Sequence, residues 1–332
     1  MKTISILTPC YNEEANVEEL YHQVREQIRK AGNDRYEHIF IDNASRDNTV
    51  PILKRIAARD HNVKVIVNAR NFGHVRSPMH ALMQTCGDAV IGIVADLQDP
   101  PEMIPGMIAK WEEGFSMVLC IKRSSEENSL MFWLRKRYYA GVQRLSSIET
   151  FENYAGFGLY DRKVVDAVRA FDDPYPYFRG MIAEIGLPYY ELFYDQRVRK
   201  RGVSKNNLYT LYDVAMLAIT NLSKVPLRFV TFLGFACSLL SLFVGLGYFA
   251  YKLLFWTNFT VGIAPLVIGL FFLGSVQLLS MGILGEYVGS IYTHVRKRPY
   301  VIEKERINFE QEPGPPAPGP LARDNAAETS SV

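Results

Sequence analysis

No glycine-rich phosphate loop occurs in this 332-residue chain. There is no G-x-G-x-x-G after the first strand-like run and no G-x-x-x-x-G-K-[ST] anywhere, which argues against a dinucleotide fold and a P-loop. Gly156-Phe157-Gly158 lacks both the third glycine and a preceding strand-turn. Cysteine is scarce. Cys10, Cys86, Cys120 and Cys237 form no C-x-x-C pair, so a disulfide framework is excluded and reduced thiols are expected. Six scattered histidines add no zinc spacing. An excess of one charge is also missing. Lys+Arg of 37 against Asp+Glu of 35 leaves a formal net charge of +2, without the basic footprint of a nucleic-acid binder. No nucleic-acid partner is expected, and an anionic ligand must be held by local clusters. No charged-then-apolar leader and no internal repeat are visible, so a cleaved signal peptide is not expected.

Charge itself is absent from two long stretches, Phe229–Tyr251 and Thr257–Gly285. Each exceeds the roughly 20 residues a helix needs to cross about 30 Å of hydrocarbon. Two buried core helices are the alternative, but such helices rarely run so long. Lys224 and Arg228 precede the first run, Arg296, Lys297 and Arg298 follow the second, and only Lys252 stands between. By the positive-inside rule both flanks lie in the cytoplasm and the loop Phe255–Gly262 outside. The expectation is a two-helix hairpin anchor in a cell inner membrane.

Before the hairpin, short apolar runs alternate with longer mixed segments, as in βαβ units. Ile4–Thr8, His38–Ile41, Val63–Val67, Ala89–Ala95 and Met117–Ile121 read as strands; Ala15–Lys30, Thr49–Arg59 and Ser77–Thr85 read as helices. Pro100-Pro101 suits the first turn of another helix. Leu130–Leu145 mixes aromatics with Arg135, Lys136, Arg137 and Arg144, fitting a solvated helix or one facing the bilayer. Asn207–Leu222 places Leu208, Leu211, Ala215, Ala218 and Leu222 on one helical face. The Pro- and Gly-rich end reads as disordered. The expected organisation is a catalytic domain over 1–206, a juxtamembrane helix over 207–226, and two membrane helices over 227–292. A cytoplasmic basic segment over 293–311 and a tail over 312–332 complete it.

In an open parallel sheet, ligands bind where the βα loops gather at the carboxyl ends of the strands. Here those ends read Pro9-Cys10-Tyr11-Asn12-Glu13-Glu14, Asp42-Asn43-Ala44-Ser45, Asn68-Ala69-Arg70-Asn71-Phe72-Gly73 and Asp96-Leu97-Gln98-Asp99. One acid after a strand is usually a helix cap; several on one edge point to a site. With no glycine loop to cradle phosphate, a divalent metal and basic side chains must meet a diphosphate. Asp96, Asp99 and the Gln98 carbonyl are hard oxygen donors suited to Mg²⁺ or Mn²⁺.

These segments, with Ala95-Asp96-Leu97-Gln98-Asp99-Pro100-Pro101-Glu102, Leu159-Tyr160-Asp161-Arg162-Lys163, Gly202-Val203-Ser204-Lys205 and Leu284-Gly285-Glu286-Tyr287, come in an order that resembles glycosyltransferase family 2. Within it, the chain is similar to the polyprenyl-phosphate glycosyltransferases of the bactoprenol-glucosyltransferase and dolichyl-phosphate-mannose-synthase type, over roughly residues 3–305. The resemblance implies an α/β GT-A fold and inverting transfer of a sugar from a nucleotide-sugar, with UDP-hexose favoured, to a polyprenyl phosphate. By that likeness Pro9, Tyr11, Glu13 and Asp42 hold base and ribose, Arg70 joins the nucleotide-sugar site, and Arg199, Ser204 and Lys205 form a loop closing over the diphosphate. Asp96, Gln98 and Asp99 are the catalytic set, Asp96 and Gln98 holding the metal, while Arg123, Arg135 and Arg137 receive the acceptor phosphate.

Two departures stand out. The family usually writes D-A-D-L-Q where this chain has Val94-Ala95-Asp96, and many relatives carry G-D-F-R-L where it has Ala155-Gly156-Phe157-Gly158-Leu159. They motivate a rival reading, a non-catalytic nucleotide-sugar-binding membrane adaptor. A processive polysaccharide synthase lacks support, since no Q-x-x-R-W motif and no further spans are present. A transporter lacks a charged pathway apart from Glu286, unless several copies assemble, and a homo-oligomer stays open.

Overall fold

Ile- and Val-rich runs have side chains on both faces to bury, so they come together as a sheet with helices on either side. The computed structural model describes residues 2–33, 35–123, 151, 153–197, 216–217, 219–220, 223–255, 263–296 and 298–309. Its strands are β1 (Ile4–Cys10), β2 (Tyr36–Asp42), β3 (Val63–Asn68), β4 (Ala89–Gly92), β5 (Met117–Lys122), β6 (Tyr154–Asp161), β7 (Tyr189–Tyr194) and β8 (Glu303–Ile307). They form one mixed sheet in the order β7-β5-β6-β4-β1-β2-β3-β8. β4, β1, β2 and β3 run parallel, as do β5 and β7, while β6 is antiparallel to its neighbours β4 and β5, and β8 to β3.

Strand alternation divides the core in two. Ile4, Ile6, Phe40, Val63 and Val65 pack with α1 (Val17–Lys30), α2 (Thr49–Ala57) and α4 (Ile104–Glu112). Leu7, Ile39, Ile41 and Ile66 pack on the other face with α3 (Gly73–Met83), α5 (Arg162–Ala170) and α6 (Phe178–Ile185). The expected α/β class holds. The five expected strands are present, although residues 93–95 leave the ladder after β4. α3 begins at Gly73, earlier than expected, with Pro78 in its second turn.

Two long helices follow, α7 (Val225–Leu254) and α8 (Ile263–Val295). At 1.5 Å per residue they measure roughly 45 and 50 Å. Both qualify by length and composition as candidate membrane spans, and apolar side chains such as Phe232, Phe271 and Leu278 are exposed along them. They run antiparallel: the Tyr287 hydroxyl, late in α8, donates to the Ser223 carbonyl just before α7, at 2.6 Å.

After α8 the chain returns to the sheet. β8 pairs antiparallel with β3, beginning at Glu303 opposite Asn68, so it starts beside the carboxyl end of β3. The sequence reading had only a basic segment here. The ladder slips between Val67 and Asn68, which makes Lys304 an extra residue. That bulge sends Glu303 and Glu305 to opposite faces: Glu303 meets His80 of α3 at 2.5 Å and Glu305 meets Lys54 of α2 at 2.6 Å. The charged β8 also blunts an otherwise open sheet edge.

Candidate active site

Three of the βα turns carry a non-glycine residue in the left-handed region: Asn12 (φ 54°), Ala44 (φ 62°) and Leu97 (φ 59°). Such conformations cost about 1–3 kcal/mol each and persist where surrounding bonds impose them. Those bonds stitch the first two turns together. The Asn12 N–H donates to Ser45 Oγ at 2.8 Å, and the Arg46 N–H donates to Asn12 Oδ1 at 2.8 Å. The Glu13 N–H donates to Thr49 Oγ1 at 2.9 Å, and Asn48 donates from its backbone and side chain to Glu14 Oε2. Pro9, Tyr11 and Glu13 are half-buried along this seam.

Asp42 ends β2 fully buried, and burial raises its carboxyl above the ordinary range. Its oxygens accept the Ser45 N–H, at 2.9 Å, and the Ser45 hydroxyl. Asp42 therefore shapes the turn. Its neighbour Asn43 is a hub that sequence reading left without a role. The Asn43 amide donates to Asn71 Oδ1 (3.0 Å) and the Gly73 carbonyl (3.1 Å), and its oxygen accepts from Asn68 Nδ2 (3.2 Å) and the Phe72 N–H (2.8 Å). The hub fixes the turn carrying Arg70, which is exposed, with its guanidinium 4.1 Å from the Phe72 ring centre.

Beyond β4, Asp96 Oδ1 accepts the Gln98 N–H at 3.1 Å, and half-buried Gln98 is bonded to Arg197, just after β7. The Arg197 N–H donates to the Gln98 carbonyl (3.2 Å), and Gln98 Nε2 donates to the Arg197 carbonyl (3.3 Å). The Arg197 guanidinium pairs with Glu102 at 2.9 Å. Asp99 lies beneath, 6% exposed, and Tyr194 donates its hydroxyl to Asp99 Oδ1 at 2.9 Å. Burial pushes the Asp99 carboxyl up to about 6, against the hydrogen bonds from Tyr194 and the Val94 N–H that hold it down. Arg123 is exposed; its N–H donates to the Tyr194 carbonyl at 3.0 Å, and its guanidinium is 5.8 Å from the Phe193 ring centre.

The geometry thus gathers Asp96, Gln98 and Asp99 with the β5 and β7 ends, and Pro9, Tyr11, Glu13 and Asp42 with the Asn43 hub and Arg70. Arg135, Arg137, Arg199, Ser204 and Lys205 lie outside the described residues. Tyr194 and Arg197 were missed because β7 was not placed. Gly186-Leu187-Pro188 before the aromatic run Tyr189–Tyr194 was the available signal.

Among the described residues no group of three or more His, Cys, Asp or Glu side chains could hold a metal. Val94, where the resemblance expects an acid, is 38% exposed. The donor chemistry nevertheless fits Mg²⁺ or Mn²⁺ held by few protein oxygens. Half-buried Asp96 and Gln98 supply hard oxygens at one turn, and such ions are commonly bound by one or two carboxylates plus substrate phosphates.

The family model described as "Glycosyl transferase family 2" matches residues 5–169. The chain is 34% identical over 304 residues to the SfII prophage-derived bactoprenol glucosyl transferase of Shigella flexneri, covering 91% of this chain and 97% of that one. It is 33% identical over 314 residues to an uncharacterized glycosyltransferase of Synechocystis, covering 93% and 97%. Among solved structures it is similar to glucosyl-3-phosphoglycerate synthase from Mycobacterium tuberculosis, with a TM-score of 0.44, 19% identity, and coverage of 66% of this chain and 78% of that one.

Proposed function

The chain belongs to glycosyltransferase family 2, its sheet is of the GT-A type, and on that premise we propose that it moves a hexose from a UDP-sugar to a polyprenyl phosphate at the cytoplasmic membrane face. The observation that carries the lipid acceptor is where α8 ends. Its last turns meet the catalytic domain at the edge where the βα turns gather: His294 Nε2 is 3.1 Å from Asp173 Oδ1, and Arg76, in the first turn of α3, donates to the Pro299 carbonyl. A site on that edge lies beside the base of the apolar hairpin, the level at which a spanning hairpin would meet lipid headgroup phosphates. The name of the Shigella relative says that protein transfers glucose and uses bactoprenol, which favours the same pairing here. Lys224, Arg228, Arg296, Lys297 and Arg298 at the hairpin base support a multi-pass inner-membrane protein with both flanks cytoplasmic. The domain bounds expected from the sequence are part of this proposal, except that β8, inside the segment expected over 293–311, belongs to the catalytic sheet.

The chemistry is a single displacement. A phosphate oxygen of the lipid forms a bond to the anomeric carbon as the bond to the nucleoside diphosphate breaks, and the configuration inverts. The nucleophile is already anionic, so no strong base is required; alignment and charge stabilisation do the rest. Asp96 and Gln98 would hold Mg²⁺ or Mn²⁺, which neutralises charge on the departing diphosphate. Pro9, Tyr11 and Glu13 line the nucleotide side, Asp42 braces its turns, and Arg70, Arg199, Ser204 and Lys205 meet the diphosphate. Arg123, Arg135 and Arg137 receive the acceptor phosphate. Asp99, buried against Tyr194, holds the turn that bears Asp96.

The test is a donor screen with short-chain polyprenyl phosphate, reading nucleotide release and lipid-linked sugar together. Equimolar formation of both with one UDP-hexose is expected. The exposed Val94 favours one rival, a binding module without turnover. Saturable donor binding with no lipid product from any donor would establish that rival and overturn the proposal.

A further inference from the structure

We infer that the segment after α8 is a strap that fixes the height and tilt of the active-site edge over the bilayer, making it a positioning element for the membrane-embedded acceptor. The inference rests on the reading that the acceptor is a lipid phosphate. Along the chain, β1 to β7 precede α7 and the strap follows α8, so the sheet is joined to the hairpin on both sides of it. The strap is a second attachment, made at the same base of the hairpin, where Tyr287 of α8 donates to the Ser223 carbonyl just before α7. A domain held at one point can swing, whereas a displacement needs its reacting atoms about 3–3.5 Å apart and aligned. A second anchor, held by the sheet itself through β8, restricts that swing.

The strap is anchored along its length. The link is short, residues 296–302 between α8 and β8. Within it Pro299 accepts from Arg76, the Tyr300 hydroxyl donates to the Asp173 carbonyl at 2.8 Å, and Val301 is buried. The Ala69 N–H donates to the Ile302 carbonyl at 2.9 Å, so the β3–β8 ladder extends to the residue before Arg70. β8 is then held by the Glu303–His80 and Glu305–Lys54 pairs on opposite faces. Asn308 Nδ2 closes the far end on the Ala57 and Val63 carbonyls, at 2.8 and 2.9 Å. No bond in this set reaches Asp96, Gln98 or the first two βα turns. The strap meets the site's turns only at the third, beside Arg70, so the water-soluble acceptor separates a loss of donor binding from a loss of orientation.

The experiment compares two acceptors. Ten Gly/Ser residues inserted between Arg298 and Pro299, together with His294→Ala, leave β8 seated but give the link a root-mean-square span of roughly 18 Å. The rate with full-length polyprenyl phosphate in liposomes should fall at least tenfold, while the rate with a water-soluble short-chain acceptor stays within twofold. Equal losses on both acceptors, or no loss on either, overturn the strap. A second variant, Glu303→Lys with Glu305→Lys, unseats β8 and should give the same split. A readout independent of turnover uses a fluorophore at Arg59→Cys in a Cys86→Ser background, with acceptor dye on the lipid headgroups. The donor-to-surface distance distribution should be narrow in the parent and broad in the insertion variant; identical distributions refute the strap. Absence of lipid product from the parent enzyme would instead count against the proposed reaction and leave the distance test standing.

Discussion

Replacing Tyr194 by Phe removes one hydroxyl from a buried carboxylate and little else. Asp99 is 6% exposed, and the lost bond spans 2.9 Å. A hydrogen bond to a charged group contributes about 1.5–3 kcal/mol, and one between neutral groups nearer 1. Which figure applies depends on pH, because burial raises the Asp99 carboxyl to about 6. The folded chain holds that proton more tightly than the unfolded one, whose carboxyl titrates near 3.9. The contribution from this group is fully present below about pH 4 and is lost as pH rises through 6. At pH 8 the folded state therefore bears roughly 3 kcal/mol of unfavourable ionisation, relieved by the bonds that remain. Tyr194→Phe withdraws one of them, so its cost should be about 1 kcal/mol at pH 5 and about 2–3 kcal/mol at pH 8. Urea unfolding of the full chain in detergent, followed by circular dichroism at both pH values, reads this difference. An equal cost at pH 5 and pH 8, or none, would refute the assignment of Asp99 as a buried carboxylate dependent on Tyr194.

Other consequences are equally direct. Despite burial, which alone would raise it, Glu303 is held down to about 2 by Arg306 and His80. Its stabilisation is present above about pH 4.3 and is lost as pH falls towards 2; Glu303→Gln should show the same loosening at neutral pH, as faster amide exchange across β8. Gly158→Ala would drive a Cβ into the Val118 carbonyl, so it should destabilise the chain by about 1–3 kcal/mol in thermal unfolding. Val94→Asp adds a carboxylate at a 38% exposed position, and should lower the Mn²⁺ concentration for half-maximal binding without donor, measured by calorimetry, with little change in stability.

Much of this was legible because it is local. β1 to β5 are runs of Ile and Val bounded by polar turns, and the acids and amides of the candidate site immediately follow them. The hairpin announced itself by two uncharged stretches. What stayed hidden depends on residues far apart in the chain. β8 reads Glu-Lys-Glu-Arg-Ile, a charged surface segment by pattern, and becomes a strand because His80 and Lys54 receive its glutamates. That Asp99 is buried and bonded to Tyr194, 95 positions later, has no local signature in the sequence. The Asn43 hub likewise depends on the third turn folding back over the second. Gly158 reads as half of a weak glycine motif, whereas its role is steric, set by a backbone carbonyl of the adjacent strand.

The central claim is that the turn after β4 supports sugar transfer to a lipid phosphate. Asp96→Asn preserves size and hydrogen bonding and removes only the charge, so it separates transfer from binding and folding. The measurement is the initial rate of lipid-linked sugar formation from UDP-hexose and polyprenyl phosphate, across a range of Mn²⁺ concentrations, for the parent chain and Asp96→Asn. Loss of one strong electrostatic group predicts a fall of about a hundredfold or more in kcat, with donor binding retained. An Asp96→Asn enzyme working at the parent rate, or a parent rate unchanged by EDTA, would contradict it.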